Sequence, residues 1–198
     1  MRTSFLRLLI LAVALAGMLV ACDTPPPRPS YADIRFTDEP PIRLAVAAID
    51  IASNFKPSFQ SPDVEHLFPV PPARALENWA HDRLQAAGGT GRARFTIVNA
   101  KVVETELPKK KEGITGALTK EVAERYDATV EAKLDLVDDH GVPVRTVNVI
   151  SARSQSVLEG ITPNERDQTW YDMTKALMAD FDQRMSNEIS SHFGGYFK

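Results

Sequence analysis

Cysteine is almost absent: Cys22 is the only one in 198 residues. An internal disulfide and a thiolate cage for zinc are both excluded, so the fold must hold by packing alone. Positive charge is not in excess either, with 23 Lys and Arg against 26 Asp and Glu and a formal charge of −3. That excludes the basic field on which nucleic-acid binding depends. The longest uncharged apolar run, Leu8 to Ala21, has fourteen residues. As a helix it rises about 21 Å, short of the ~30 Å hydrocarbon core of a bilayer. The four histidines, His66, His81, His140 and His192, are scattered, and no HExxH spacing is present. No internal repeat and no second core large enough for another domain can be found.

What is present begins with an address. Arg2 and Arg7 precede the apolar run, the charged start and short hydrophobic centre of a secretory signal spanning residues 1–21. The run ends Leu19-Val20-Ala21-Cys22, which resembles the lipobox of bacterial lipoproteins. The resemblance implies that Cys22 becomes the mature N-terminus, with a diacylglyceryl group on its sulfur and an acyl chain on its amine. Two or three chains anchor firmly where one is marginal, since each buried methylene contributes about 0.8 kcal/mol. Loss of Arg2 and Arg7 with the signal moves the formal charge from −3 to −5, so the lipid rather than charge must hold the chain to an anionic leaflet. Asp23 follows the cysteine and resembles the enterobacterial retention signal, which implies the inner membrane, periplasmic side, ahead of the outer membrane.

Six of the 14 prolines lie between residues 25 and 41. Residues 22–41 therefore read as lipidated cysteine plus semi-rigid tether, with an extended reach of roughly 50–60 Å. The alternative is that the chain packs on the domain from about Tyr31 onward, through Tyr31, Ile34 and Phe36.

Residues 42–198 read as a single α+β domain in the order strand, helix, strand, strand, strand, helix. The apolar run Ile42 to Ile51 suits a central strand buried on both faces. A Pro-rich loop follows to Pro72, which opens a helix with Leu76, Ala80, Leu84 and Ala87 on one stripe and Gly88-Gly89 as its stop. A strand over about 94–107 changes parity near Asn99, which predicts a bulge. From Arg125 to Leu136 polar and apolar residues alternate strictly, one face wet and one in the core. Asp138-Asp139-His140-Gly141 is turn chemistry, and a further strand runs over about 144–157. Thr162-Pro163-Asn164-Glu165 has capping-box spacing and opens a helix with Trp170, Met173, Leu177, Phe181, Met185 and Ile189 at steps of three or four. The expected fold is a small, mainly antiparallel four-stranded sheet with two helices on one face.

The search for chemistry yields no catalytic set, no metal ligands and no implied cofactor. Glu77 and His81 share a helix face without a partnering motif and read as a surface pair. Gly88-Gly89-Thr90-Gly91-Arg92 runs from helix to strand, the wrong order for a phosphate loop. Ser151, Ser154 and Ser156 lack the sharp turn that exposes a nucleophile. Interaction potential is concentrated in the connection between the second and third strands, where Lys109, Lys110 and Lys111 precede Ile114 and Leu118, a pattern that suits an anionic lipid or an acidic partner. A groove beside Trp79 is the second candidate.

The layout of lipobox, proline spacer and α+β domain is similar to lipopolysaccharide-assembly lipoproteins and to the auxiliary lipoproteins of ABC-type lipid transporters. It implies a non-enzymatic, membrane-anchored component of an envelope complex. Lipoprotein activators of cell-wall synthases share the plan and stand as the alternative, with an envelope enzyme behind them.

Overall fold

The computed structural model describes residues 29–108 and 122–196. Four strands, β2 (Ala48–Ser53), β4 (Arg92–Glu106), β5 (Val122–Val137) and β6 (Pro143–Leu158), form one sheet in the order β2-β4-β5-β6. β2 runs parallel to β4, whereas β4, β5 and β6 are antiparallel. Helices α1 (Pro72–Arg83) and α2 (Pro163–His192) pack on the sheet and on each other. The α+β class and the mostly antiparallel sheet agree with the sequence.

The three long strands form for the reason their alternation gives. On β5, Tyr126, Ala128, Val130, Ala132 and Leu134 are buried, and across from them Val102, Ala100, Ile97 and Phe95 fill the same layer on β4. The register slips between Ile97 and Asn99, a bulge that restores the inward face after the parity change. α2 is fixed by its first turn: the Thr162 side chain accepts from the Glu165 N–H, and the Glu165 carboxylate accepts from the Thr162 N–H at 2.9 Å. Its expected stripe, Trp170 to Ile189, is buried throughout.

Three expectations are corrected. The run 42–51 is not one central strand. It breaks at Ala45–Ala47 into β1 (Ile42–Leu44) and β2, and β2 lies at an edge of the sheet with its residues half-buried or exposed. The reason is tertiary: the Ala45 N–H is taken by the Tyr196 carbonyl at 2.7 Å and the Ala47 N–H by the Gly91 carbonyl at 3.0 Å. Helix α1 stops at Arg83 rather than at Gly88-Gly89, because β3 (Leu84–Ala86) is recruited as a parallel partner by β1. Gly89 has a different task. It sits at φ +146°, and a Cβ there would meet the Ala45 carbonyl oxygen at 2.4 Å, so only glycine lets these backbones approach.

The third correction concerns the tether. Residues 31–41 do not reach away from the domain. Ile34 is buried in the core, the Arg35 guanidinium pairs with Asp82, and the Phe36 N–H donates to the same carboxylate at 2.9 Å. Asn78 donates to the Ile34 carbonyl at 3.2 Å, and the Tyr31 ring lies 5.1 Å from that of Tyr171. The arm that the alternative reading placed from Tyr31 onward is the observed one.

Candidate functional site

Cys22, Lys109, Lys110, Lys111, Ile114 and Leu118 lie outside the described residues. What the structure does describe is the surroundings from which they extend. The β4–β5 connection leaves the sheet after Leu107 and returns at Val122, with the Leu107 N–H bonded to the Ala123 carbonyl at 2.8 Å. Beside these stems lies an open depression of about 690 Å³ lined by Leu107, Leu158, Ile161, Glu124, Arg166 and neighbours. A smaller one of about 290 Å³ shares Leu158 and Ile161 and adds Glu165 and Thr169 from the first turns of α2. The N-terminal arm enters at this same end: the Tyr31 hydroxyl donates to the Asn164 carbonyl at 3.4 Å.

The floor of this end is a polar cluster set in aromatic walls. The Tyr126 hydroxyl lies 2.5 Å from Glu124 Oε2 and 2.9 Å from Glu104 Oε1, and Arg166 donates to Glu124 Oε1 at 3.1 Å. Trp170 stands edge-on to Tyr126 at 5.4 Å and stacks on Phe68 at 4.8 Å with planes 8° apart. Burial, with the two carboxylates that accept its proton, drives the Tyr126 phenol far above its ordinary pKa. Tyr126 is thus a permanent donor, unable to serve as a base near neutral pH. Its single proton holds two carboxylates, and Arg166 supplies the compensating charge, so the cluster reads as a structural brace beneath the depression.

Trp79 is corrected from groove wall to core residue. It is fully buried, 5.4 Å from Phe95 and 5.2 Å from Phe181. Its indole N–H donates to Asp182 at 2.7 Å. The same carboxylate accepts from Arg83 Nε at 2.8 Å, while Arg83 also donates to Ser186 at 3.1 Å and to the Pro40 carbonyl. This buried knot ties α1, α2 and the arm together. The signal for it was weak, since Asp182 falls off the apolar stripe of α2 like any surface acid. A shallow groove of about 300 Å³ does lie nearby, between Ile49 and Ile51 of β2 and Glu77, Ala80 and His81 of α1.

Several of the remaining polar residues have structural roles, although the buried Ser151 hydroxyl has no hydrogen-bond partner among the described residues. Asp82 secures the arm. Ser151 is buried on the inner face, and Ser154 pairs with Asp127 on the outer one. His140 is exposed at the β5–β6 turn. Among the described residues no three His, Cys, Asp or Glu side chains are grouped to hold a metal, and no helix is long and apolar enough to cross a membrane.

No family model and no curated protein matches the chain. Among the solved structures similar to it are two lipoproteins. One is the rare lipoprotein B from Shewanella oneidensis, 11% identical with a TM-score of 0.42, covering 72% of this chain and 97% of that one. The other is a minor lipoprotein from Acinetobacter baumannii, 11% identical with a TM-score of 0.40, covering 75% and 93%.

Proposed function

We propose that the protein is a lipid-anchored, periplasm-facing component of a cell-envelope complex, without catalysis of its own, held by Cys22 and meeting the membrane or an acidic partner through the loop of Lys109, Lys110 and Lys111. The observation that carries the reading is convergence. The arm enters beside Asn164, the loop stems lie beside Arg166, and these two residues share the first turn of α2. Because the arm packs on the domain from Tyr31, only residues 23–30 separate Cys22 from it, and nine steps of chain span about 30 Å at most. The tether is half as long as composition alone suggests. An anchored Cys22 would then hold the loop end of the domain close to the bilayer, within reach of headgroups and of partners in the same membrane. Asp23 supports the inner membrane as the location. The open depression beside Leu107, Leu158 and Ile161 supports binding as the chemistry of this end, with transport of lipid or lipopolysaccharide as the process.

The decisive experiment is Cys22→Ala with palmitate labelling and membrane fractionation in cells. Labelling should vanish and the protein should leave the membrane fraction or accumulate with its signal attached. An unlabelled wild type, or a mutant still fully labelled, overturns the lipoprotein reading. With the anchor intact, changing all three lysines to Gln should weaken photo-crosslinking from the loop to anionic headgroups or an envelope partner, and salt should weaken it in the wild type. Equal crosslinking by both proteins removes the loop from the reading.

A further inference from the structure

β6 pairs only with β5 among the described residues, and no strand pairs with its other edge from Pro143 to Leu158. We infer that this edge is a self-association surface, on which a second copy of the chain adds its own β6 antiparallel, with Ile150 on the two-fold axis.

Three observations carry this. First, exposed apolar side chains concentrate here: Val142, Val144, Ile150 and Leu158 are four of the eight large exposed hydrophobics of the described residues. Second, their spacing is self-complementary. On β6 the odd-numbered Val147, Val149, Ser151 and Val157 are buried, so even-numbered residues face the open side of the sheet. Pairing residues whose numbers sum to 300 sets Ile150 against Ile150 and Val144 against Ser156, and brings Val142 of one copy level with Leu158 of the other. It also separates like charges, with Arg145 facing Gln155 and Arg153 facing Val147. A slip of two residues one way opposes Arg145 and Arg153; the other way parts the two Ile150 side chains. Third, the backbone is turned for it. The carbonyls of Val144, Ile150 and Ser156, all even-numbered, accept side-chain donors from Arg145, Arg184 and Gln155. Even-numbered residues therefore direct their backbone groups to the edge, as a hydrogen-bonded pair centred on Ile150 requires. The ladder from Val144 to Ser156 would run about 40 Å.

Two of the usual protections of a free edge, a lysine and a bulge at its centre, are missing. No lysine interrupts β6, its proline stands at the first position, and the register shifts against β5 lie only at the two ends of the pair. Arg153, which points inward, is neutralised by Asp180 of α2 at 2.8 Å.

The test is disulfide mapping on the full chain in its own membranes. In a hydrogen-bonded antiparallel pair the Cα atoms lie about 5.5 Å apart, within disulfide range. Ile150→Cys should therefore give a dimer under diamide, whereas Asn148→Cys and Ala152→Cys, each displaced from its own copy by several residues, should not. The parent chain, with Cys22 alone, sets the baseline. A double variant, Val144→Cys with Ser156→Cys, should also crosslink. Absence of the Ile150→Cys dimer in protein that melts like the parent, or equal crosslinking at 148, 150 and 152, overturns the proposal. Capture of a different protein by Ile150→Cys in place of the dimer overturns it as well and assigns the edge to that partner.

Discussion

The two edges of the sheet are built on opposite plans. On one side β4 is covered from Arg92 to Ile97 by β2 and from Val102 to Glu104 by the Pro-rich loop. There Val64 donates to the Val102 carbonyl at 2.9 Å, Glu104 donates to the Pro62 carbonyl at 2.9 Å, and the buried Glu65 carboxylate accepts from the Val102 N–H at 3.3 Å. Prolines keep that loop from being a full strand, yet its carbonyls and one carboxylate satisfy the edge that β2 leaves bare. On the other side β6 is 16 residues long and bears no acidic residue. Closing an edge thus takes short, irregular segments, whereas a long regular edge strand left open is a surface for another chain.

The largest expected effect tests the core both edges depend on. Phe95 lies on β4, fully buried against Trp79, and Phe95→Ala should cost about 3–5 kcal/mol. Against a total stability of ~5–15 kcal/mol the variant should melt well below the wild type. An unchanged melting temperature would mean that the closed side carries little of the fold.

Gly89→Ala comes next and acts on the closed side alone. The new Cβ meets the carbonyl of Ala45, a residue in the break between β1 and β2, and φ is positive besides; strain of this kind costs about 1–3 kcal/mol. Denaturant unfolding measures it. Gly141→Ala provides the contrast, since no atom lies within 4 Å of a Cβ there, and it should show the φ penalty without the clash.

The closed edge should also have an acid dependence that the open edge lacks. The Lys101 ammonium, 2.9 Å from Asp63, together with the Ser58 hydroxyl, holds the Asp63 carboxyl below its ordinary range. A carboxylate whose folded pKa is depressed contributes stability that is fully present above its unfolded pKa, about 3.9, and is lost as pH falls through the lower folded value. The stability gap between wild type and Asp63→Asn should therefore be full at pH 6 and close below pH 4, read from melts across that range. A gap independent of pH would show that the loop is held by its backbone bonds only.

These regions also divide what could be read in advance. β5, the bulge near Asn99, the cap at Thr162 and the α2 stripe were legible because each is decided by neighbours a few residues away: alternation, one inserted residue, two side chains three apart. The edge position of β2, the early end of α1 and the packed arm were not. Each depends on a partner distant in sequence, such as β1 for β3 or Asp82 for Arg35, and an apolar run reads alike whether a strand is central or lateral. Of the candidate site, Cys22 and the lysines are readings of the sequence that lie outside the described residues, and local pattern says nothing of the arm and the loop stems meeting at one end of α2.

The smallest effect is the sharpest form of the comparison, one substitution made at both edges. Ile51 on β2 is half-buried and packs toward α1, so Ile51→Thr removes apolar contact and sets a hydroxyl against the core, at a cost of about 1 kcal/mol. Ile150 on β6 is 50% exposed, and a surface change of that kind should stay within about 0.5 kcal/mol. The two variants should therefore separate by observable. Ile51→Thr should lower the melting temperature at every protein concentration. Ile150→Thr should leave the melting of dilute, singly dispersed protein unchanged, while removing any stabilisation that grows with concentration, because mass action stabilises only a folded form that associates. Equal losses at both sites in dilute protein would mean that β6 is a buried strand within one chain, and the difference between the edges would disappear.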